Sequence, residues 1–88
     1  MEKMFKKGKL KCRDIGSVFL IYDYTSGVVV ELNESARFIW ECLDDLGIED
    51  VIQKFAEYYG IDSKTAAEDV YMVLNELEAR GLIGRGRC

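Results

Sequence analysis

Residues 28–43 read VVVELNESARFIWECL, and within them a strand pattern turns into a helix pattern across one polar residue, Asn33. β-Branched residues run up to Leu32; beyond Asn33, Ala36, Ile39, Trp40 and Leu43 recur at helical spacing and form one apolar stripe, with Glu34, Arg37 and Glu41 off it. An Asn side chain accepts from the free backbone N–H groups of the turn that follows. It therefore ends a strand at Leu32 and begins a helix at Glu34. Trp40 is the only tryptophan. It is expected to anchor the core, because a buried indole supplies much of the apolar contact of a small domain.

Toward the N-terminus, residues 18–22 (VFLIY) are β-branched and aromatic, suited to the middle of a sheet. Residues 23–27 make a hairpin connection in which Gly27 supplies a positive φ. Ile15, Gly16 and Ser17 form a turn, and residues 9–14 alternate as a half-buried edge strand does, with Leu10 and Cys12 facing inward. Residues 1–8 read as a loosely ordered basic arm. Three strands joined by two short connections predict an antiparallel meander with residues 28–32 at one edge.

Toward the C-terminus, the first helix is expected over 33–45 and is broken by Leu46 and Gly47. The second spans 48–59, with Val51, Ile52, Phe55, Ala56 and Tyr59 on its apolar face and Gly60 as a left-handed stop. After Ile61, the caps Asp62 and Ser63 open a third helix that runs to residue 80, its core stripe being Ala66, Val70, Val73, Leu74 and Leu77. Gly81 closes it, Leu82 and Ile83 fold back onto the core, and residues 84–88 fray as a tail. The predicted class is α+β: a winged-helix-like domain at 9–83 in which a three-stranded antiparallel β-meander precedes three α-helices.

Length and composition narrow the function classes. A chain of 88 residues is one domain. It buries only roughly 60 to 65% of its unfolded surface, which leaves little room for an enclosed active-site cavity. Hydrophobic residues at 49% and charged residues at 32% describe a globular chain. No apolar run approaches the ~20 residues that span a bilayer, and no signal peptide follows Met1, so a cytoplasmic protein without a membrane partner is expected. Cys12, Cys42 and Cys88 are widely spaced, and the chain has no histidine. Neither a zinc motif nor a cysteine nucleophile with a histidine base can be written, so no metal, no cofactor and no catalytic residue is expected.

Charge is uneven. Residues 1–13 hold six Lys or Arg against Glu2 alone, a balance of +5, whereas 14–88 hold six basic residues against fifteen acidic ones, a balance of −9. An acidic body repels phosphate backbones, which weighs against nucleic acid as a partner. The Lys-rich start reads as solvation of an exposed edge.

Three blocks carry a family resemblance. The first is ELN at 31–33 followed by Ala36, Ile39, Trp40 and Leu43; the second is YYGID at 58–62; the third is Asp69, Val70, Val73, Leu74 and Leu77 with GLI at 81–83. Together, in this order and spacing, they resemble the PqqD-like family, small peptide-chaperone domains also called RiPP recognition elements. The resemblance covers residues 9–83. It implies a peptide-binding protein that holds the leader segment of a ribosomally made precursor peptide and presents it to a modifying enzyme, often a radical SAM protein. It further implies that the leader adds as a strand beside residues 28–32 and lies between that strand and the third helix. No further domain is visible beside these 88 residues, so the enzyme is expected to act in trans.

The residues support this physically. An edge strand leaves backbone groups of Val28, Val29, Val30 and Glu31 free to pair with a guest. The third helix offers two flanks beside its core stripe: Asp69, Met72, Glu76 and Arg80 with Val73 at the seam, or Ala67, Tyr71 and Glu78. Periodicity alone does not choose between them. The first is favoured because Met72 gives an adaptable apolar floor and Arg80 an anchor for an acidic leader residue. Asp69 also reads as an ordinary helix-surface carboxylate. Self-pairing of two exposed edge strands would make a weak homodimer of an otherwise monomeric chain.

The alternative is a small winged-helix DNA-binding regulator. Its reading helix would carry Asp62, Glu68, Asp69, Glu76 and Glu78 against Lys64 and Arg80, the wrong sign for a phosphate backbone. The carboxylate pairs Asp44-Asp45 and Glu49-Asp50 suit a solvated loop and a helix N-terminus better than catalysis.

Overall fold

A computed structural model describes residues 2–6 and 9–87; Met1, Lys7, Gly8 and Cys88 lie outside the described residues. In chain order the elements are β1 (Glu2–Lys6), β2 (Leu10–Ile15), β3 (Val18–Asp23), β4 (Val28–Leu32), α1 (Glu34–Cys42), α2 (Ile48–Tyr59), α3 (Ser63–Ala79) and β5 (Ile83–Arg87). β2, β3 and β4 form the antiparallel meander, in that spatial order, so β4 is an edge. The three helices follow it and pack on one face of the sheet, as the α+β winged-helix-like reading requires.

Local chemistry sets the corners. Gly16 takes φ 64°, the positive angle that a two-residue hairpin turn needs between Ile15 and Val18. In the second hairpin the carboxylate of buried Asp23 accepts from Thr25 Oγ1 at 2.7 Å and from Thr25 N–H at 2.9 Å. The Thr25 hydroxyl and backbone N–H hold this carboxyl below its ordinary range, because both bonds favour the ionised form. Asn33 Oδ1 accepts from Ala36 N–H at 2.9 Å and so caps α1, and Asp62 caps α3 through Thr65 N–H at 2.8 Å. Gly60, at φ 65°, stops α2.

The core lies between the helices and the inner side of β3 and β4. Phe19, Ile21, Val30 and Leu32 meet Ile39 and Trp40 of α1, Val51 and Phe55 of α2, and Val70, Leu74 and Leu77 of α3. Leu82 and Ile83 are fully buried, because Gly81 reverses the chain and Leu82 N–H donates to Leu77 O at 3.0 Å. Trp40 is 2% exposed. Lys6 lies over its ring, 4.2 Å from the centroid, and reaches Asp44 at 2.7 Å.

Several sequence expectations are corrected. The arm at 1–8 and the tail at 84–88 do not remain loose in their described parts, since β1 and β5 pair antiparallel, Glu2 opposite Arg87 through Lys6 opposite Ile83. Burial of Ile83 delivers β5 to the site where β1 can pair with it. Cys12 is exposed rather than inward-facing: the helices cover β3 and β4, and β2 overhangs them, so only Leu10 packs partly against the core. On that overhang Arg37 of α1 bridges to Asp14 at 2.7 Å while covering the Phe19 ring. α1 ends at Cys42, not Asp45, as its last bonds tighten to Asp44 N–H on Glu41 O and Asp45 N–H on Cys42 O. Tyr59 stays partly exposed and packs in an aromatic group with Phe38, Phe55 and Tyr58, whereas Ile48 enters the core in its place.

Candidate functional site

The direction of the β4 backbone follows from the hairpin that starts it. Gly27 N–H donates to Asp23 O at 2.8 Å, and Tyr24 N–H donates to Lys9 O at 3.3 Å on the opposite side. Odd-numbered residues of β3 therefore aim their backbone groups at β4, and even-numbered ones aim at β2. Their partners across the ladder are Val28, Val30 and Leu32, opposite Asp23, Ile21 and Phe19. The N–H and C=O groups of Val29 and Glu31 are thus left pointing outward from the free edge.

Beside this edge runs a groove of about 750 Å³ whose other wall is α3. Of the two flanks of α3, the one bearing Asp69, Met72, Glu76 and Arg80 lines it, with Val73 at the seam. Along the helix, Asp69 to Arg80 spans about 16 Å at ~1.5 Å per residue. The five residues of β4 extend about 17 Å at ~3.4 Å each. The two walls thus match in length and fit a guest strand of about five residues.

Of the residues singled out in the sequence, Val29, Val30, Glu31, Asp69, Met72, Val73, Glu76 and Arg80 line this groove together. Val28 does not; it sits at the hairpin end opposite Asp23 with its backbone turned to β3. Met72 is 63% exposed and unfilled by the core, Val73 is half-buried, and together they form an apolar wall. Arg80 is held by Glu76, Nη2 to Oε1 at 3.2 Å and Nε to Oε1 at 3.4 Å. Both ends of that pair are exposed, so it adds little to stability while keeping the two opposite charges side by side.

Leu32, Asn33, Ser35, Ala36 and Leu77 also line the groove and were not singled out as site residues. The signal for four of them was the junction itself. Because β4 enters α1 through the single residue Asn33, the first turn of α1 must lie at the end of any groove along β4. Leu77 belongs to the core stripe and surfaces at the groove base.

The arrangement offers a ladder of backbone donors and acceptors beside an apolar wall. The hydroxyl of Ser35 donates to Asn33 Oδ1 at 3.1 Å rather than to a base. Burial pushes the Cys42 thiol up, away from a reactive thiolate. Among the described residues no group of three or more His, Cys, Asp or Glu converges to hold a metal ion, and no helix is long and apolar enough to cross a membrane.

Known proteins share this framework. Of solved structures, the chain is similar to one described as "Lasso peptide synthetase B1 complexed with the leader peptide", with a TM-score of 0.84 at 20% identity, covering 93% of this chain and 98% of that one. It is also similar to "TbiB1 in Complex with the TbiA(beta) Leader Peptide", with a TM-score of 0.82 at 18% identity, covering 94% and 96%. At these identities the likeness is one of fold. No curated protein matches the chain. The family model for Coenzyme PQQ synthesis protein D (PqqD) matches residues 19–83, a span that contains β4, all three helices and both walls of the groove. On that match the chain belongs to the PqqD family.

Proposed function

We propose that this chain is a recognition domain for the leader segment of a ribosomally made precursor peptide, which it binds by strand addition to β4 and presents to a modifying enzyme. The observation that carries this reading is the open β4 edge, with Val29 and Glu31 unpaired on that side, facing α3 across the groove. Two proteins of the same fold are described in complex with leader peptides, which supports the same use here. The partner is a peptide-modifying enzyme acting in trans, of the radical SAM class to which the family resemblance points, and the setting is the cytoplasm. The chain's own part is binding rather than chemistry.

Magnitudes explain why such binding selects its peptide. Two edge residues offer four backbone bonds, each worth about 0.5–1.5 kcal/mol net. Ordering a guest backbone costs about 1–2 kcal/mol per residue. Backbone pairing alone therefore falls short, and burial of guest side chains against Met72, Val73 and Leu77 must supply the surplus. The same edge makes a second copy of the chain a competitor, so the protein is expected to be a monomer or a weak homodimer.

Isothermal titration of the reduced protein with leader peptides from short precursor-like genes beside its own, with a DNA duplex as control, tests the proposal. Saturable binding with Kd of about 1 μM or tighter to one leader and none to the duplex is expected. Salt-sensitive binding to the duplex with silence toward every leader would replace this reading by that of an acidic winged-helix regulator.

A further inference from the structure

The groove carries four charged residues, Glu31, Asp69, Glu76 and Arg80, and they are not equivalent. Glu31 is exposed and alternates with buried Val30 and Leu32, so its side chain lies on the outer face of the sheet. Glu76 and Arg80 are exposed and offset each other. Asp69 is half-buried on the groove wall, one turn before Val73, and among the described residues it makes no ion pair and no side-chain hydrogen bond. Of the two groove charges without a partner among the described residues, half-buried Asp69 rather than exposed Glu31 is the one that a guest would dehydrate.

Resting on the proposed peptide-binding role, we infer that Asp69 is the specificity residue of the groove and selects leaders with Lys or Arg two positions from an apolar residue. The spacing follows from the two walls. Asp69 and Val73 are separated by four helical residues, a rise of about 6 Å. Side chains on one face of a strand, two residues apart, are separated by about 6.7 Å. A guest strand lying along β4 thus sets one inward-facing side chain at Asp69 and the next at Met72 and Val73. Covering a half-buried carboxylate without a partner is costly, and an acidic guest residue there adds repulsion. A Lys or Arg replaces the hydration that the carboxylate loses, and Arg does so with two parallel bonds. The sequence alone favours Arg80 as the charged anchor, with an acidic leader residue as its complement. The Glu76 pairing of Arg80 and the lack of any partner for Asp69 reverse that polarity.

The experiment selects binders from a displayed library of random twelve-residue peptides on the wild-type protein and titrates the winners. Enrichment of a basic residue two positions from Leu, Ile, Val, Met or Phe is expected. The selected peptide should lose about tenfold or more in affinity on Asp69→Lys, a loss on the scale of one charge-assisted bond, and a smaller part of that on the isosteric Asp69→Asn. A peptide with Glu in place of its basic residue should recover binding to Asp69→Lys. Glu68→Lys makes the same charge change on the exposed surface of α3 outside the groove and should shift affinity by about twofold or less. Selected peptides without a basic preference, or with equal affinity for wild type and both Asp69 variants, overturn the role of Asp69 and leave strand addition standing. A library that yields no binder sensitive to Val29→Pro overturns strand addition and the role of Asp69 together.

Discussion

Trp40→Ala is expected to unfold the domain or leave it barely folded at room temperature. Trp40 is 2% exposed and belongs to the continuous hydrophobic core. Truncating a buried aromatic to alanine costs about 3–5 kcal/mol, and the residual cavity is large because α1 is pinned at Asn33 and cannot settle into it. A domain of this length has about 4–13 kcal/mol in total. Lys6 would also lose the ring beneath it, loosening the contact that ties β1 to α1. Thermal melts followed by circular dichroism should show the midpoint lowered by at least about 12 °C, taking ~4 °C per kcal/mol for a domain of this size. A variant that melts with the wild type would contradict the placement of the indole in the core.

The second large effect separates binding from folding along a single strand. Val29 aims its N–H away from the sheet, so Val29→Pro removes a donor meant for the guest and leaves every bond to β3 in place. Val30 aims its N–H at Ile21, which is fully buried, and Val30→Pro strands that carbonyl. The expected outcome for Val29→Pro is a folded protein, melting close to the wild type, whose peptide affinity falls by about tenfold or more. For Val30→Pro it is a loss of about 1–3 kcal/mol of stability from the unmet carbonyl, with steric displacement of the ladder in addition. Melts and peptide titrations on the two purified variants check both. Equal stability of the two, or undiminished peptide binding by both, would show that the alternation of the β4 edge is assigned wrongly.

How much of this was legible in the chain depends on the range of the interaction involved. The strand-to-helix junction at Asn33, the cap at Asp62 and the stop at Gly60 are local: a side chain or a φ angle acts within four residues, and the sequence shows them. The edge position of β4 followed from two short connections. The pairing of β1 with β5 joins residues some eighty positions apart, and no local pattern in a Lys-rich start or a GRGR tail signals it. Cys12 shows a related limit. Alternation assigns a residue to a face of a strand, but whether helices reach far enough to cover that face depends on the packing of the whole layer.

The groove was legible to the same degree. A period of 3.6 residues gave α3 a core stripe and two flanks, and only the docked helix shows that Asp69, Met72, Glu76 and Arg80 face β4 while Tyr71 and Ala67 do not line the groove. Val28 shares the strand pattern of Val29 and Val30, and only the hairpin geometry shows that it is turned toward Asp23. The helical stripes place Ala36 and Leu77 in the core, where both are buried, and only the packed helices show that they also form the groove floor.

The most direct test of the central claim is amide hydrogen exchange, resolved to single residues, with and without a bound leader peptide. Strand addition predicts that the N–H groups of Val29 and Glu31, outward-pointing in the free protein, become protected on binding, while Val30 and Leu32, already paired with β3, change little. Protection confined to β2, or to the outer face of the sheet, with Val29 and Glu31 still exchanging freely, would contradict the account.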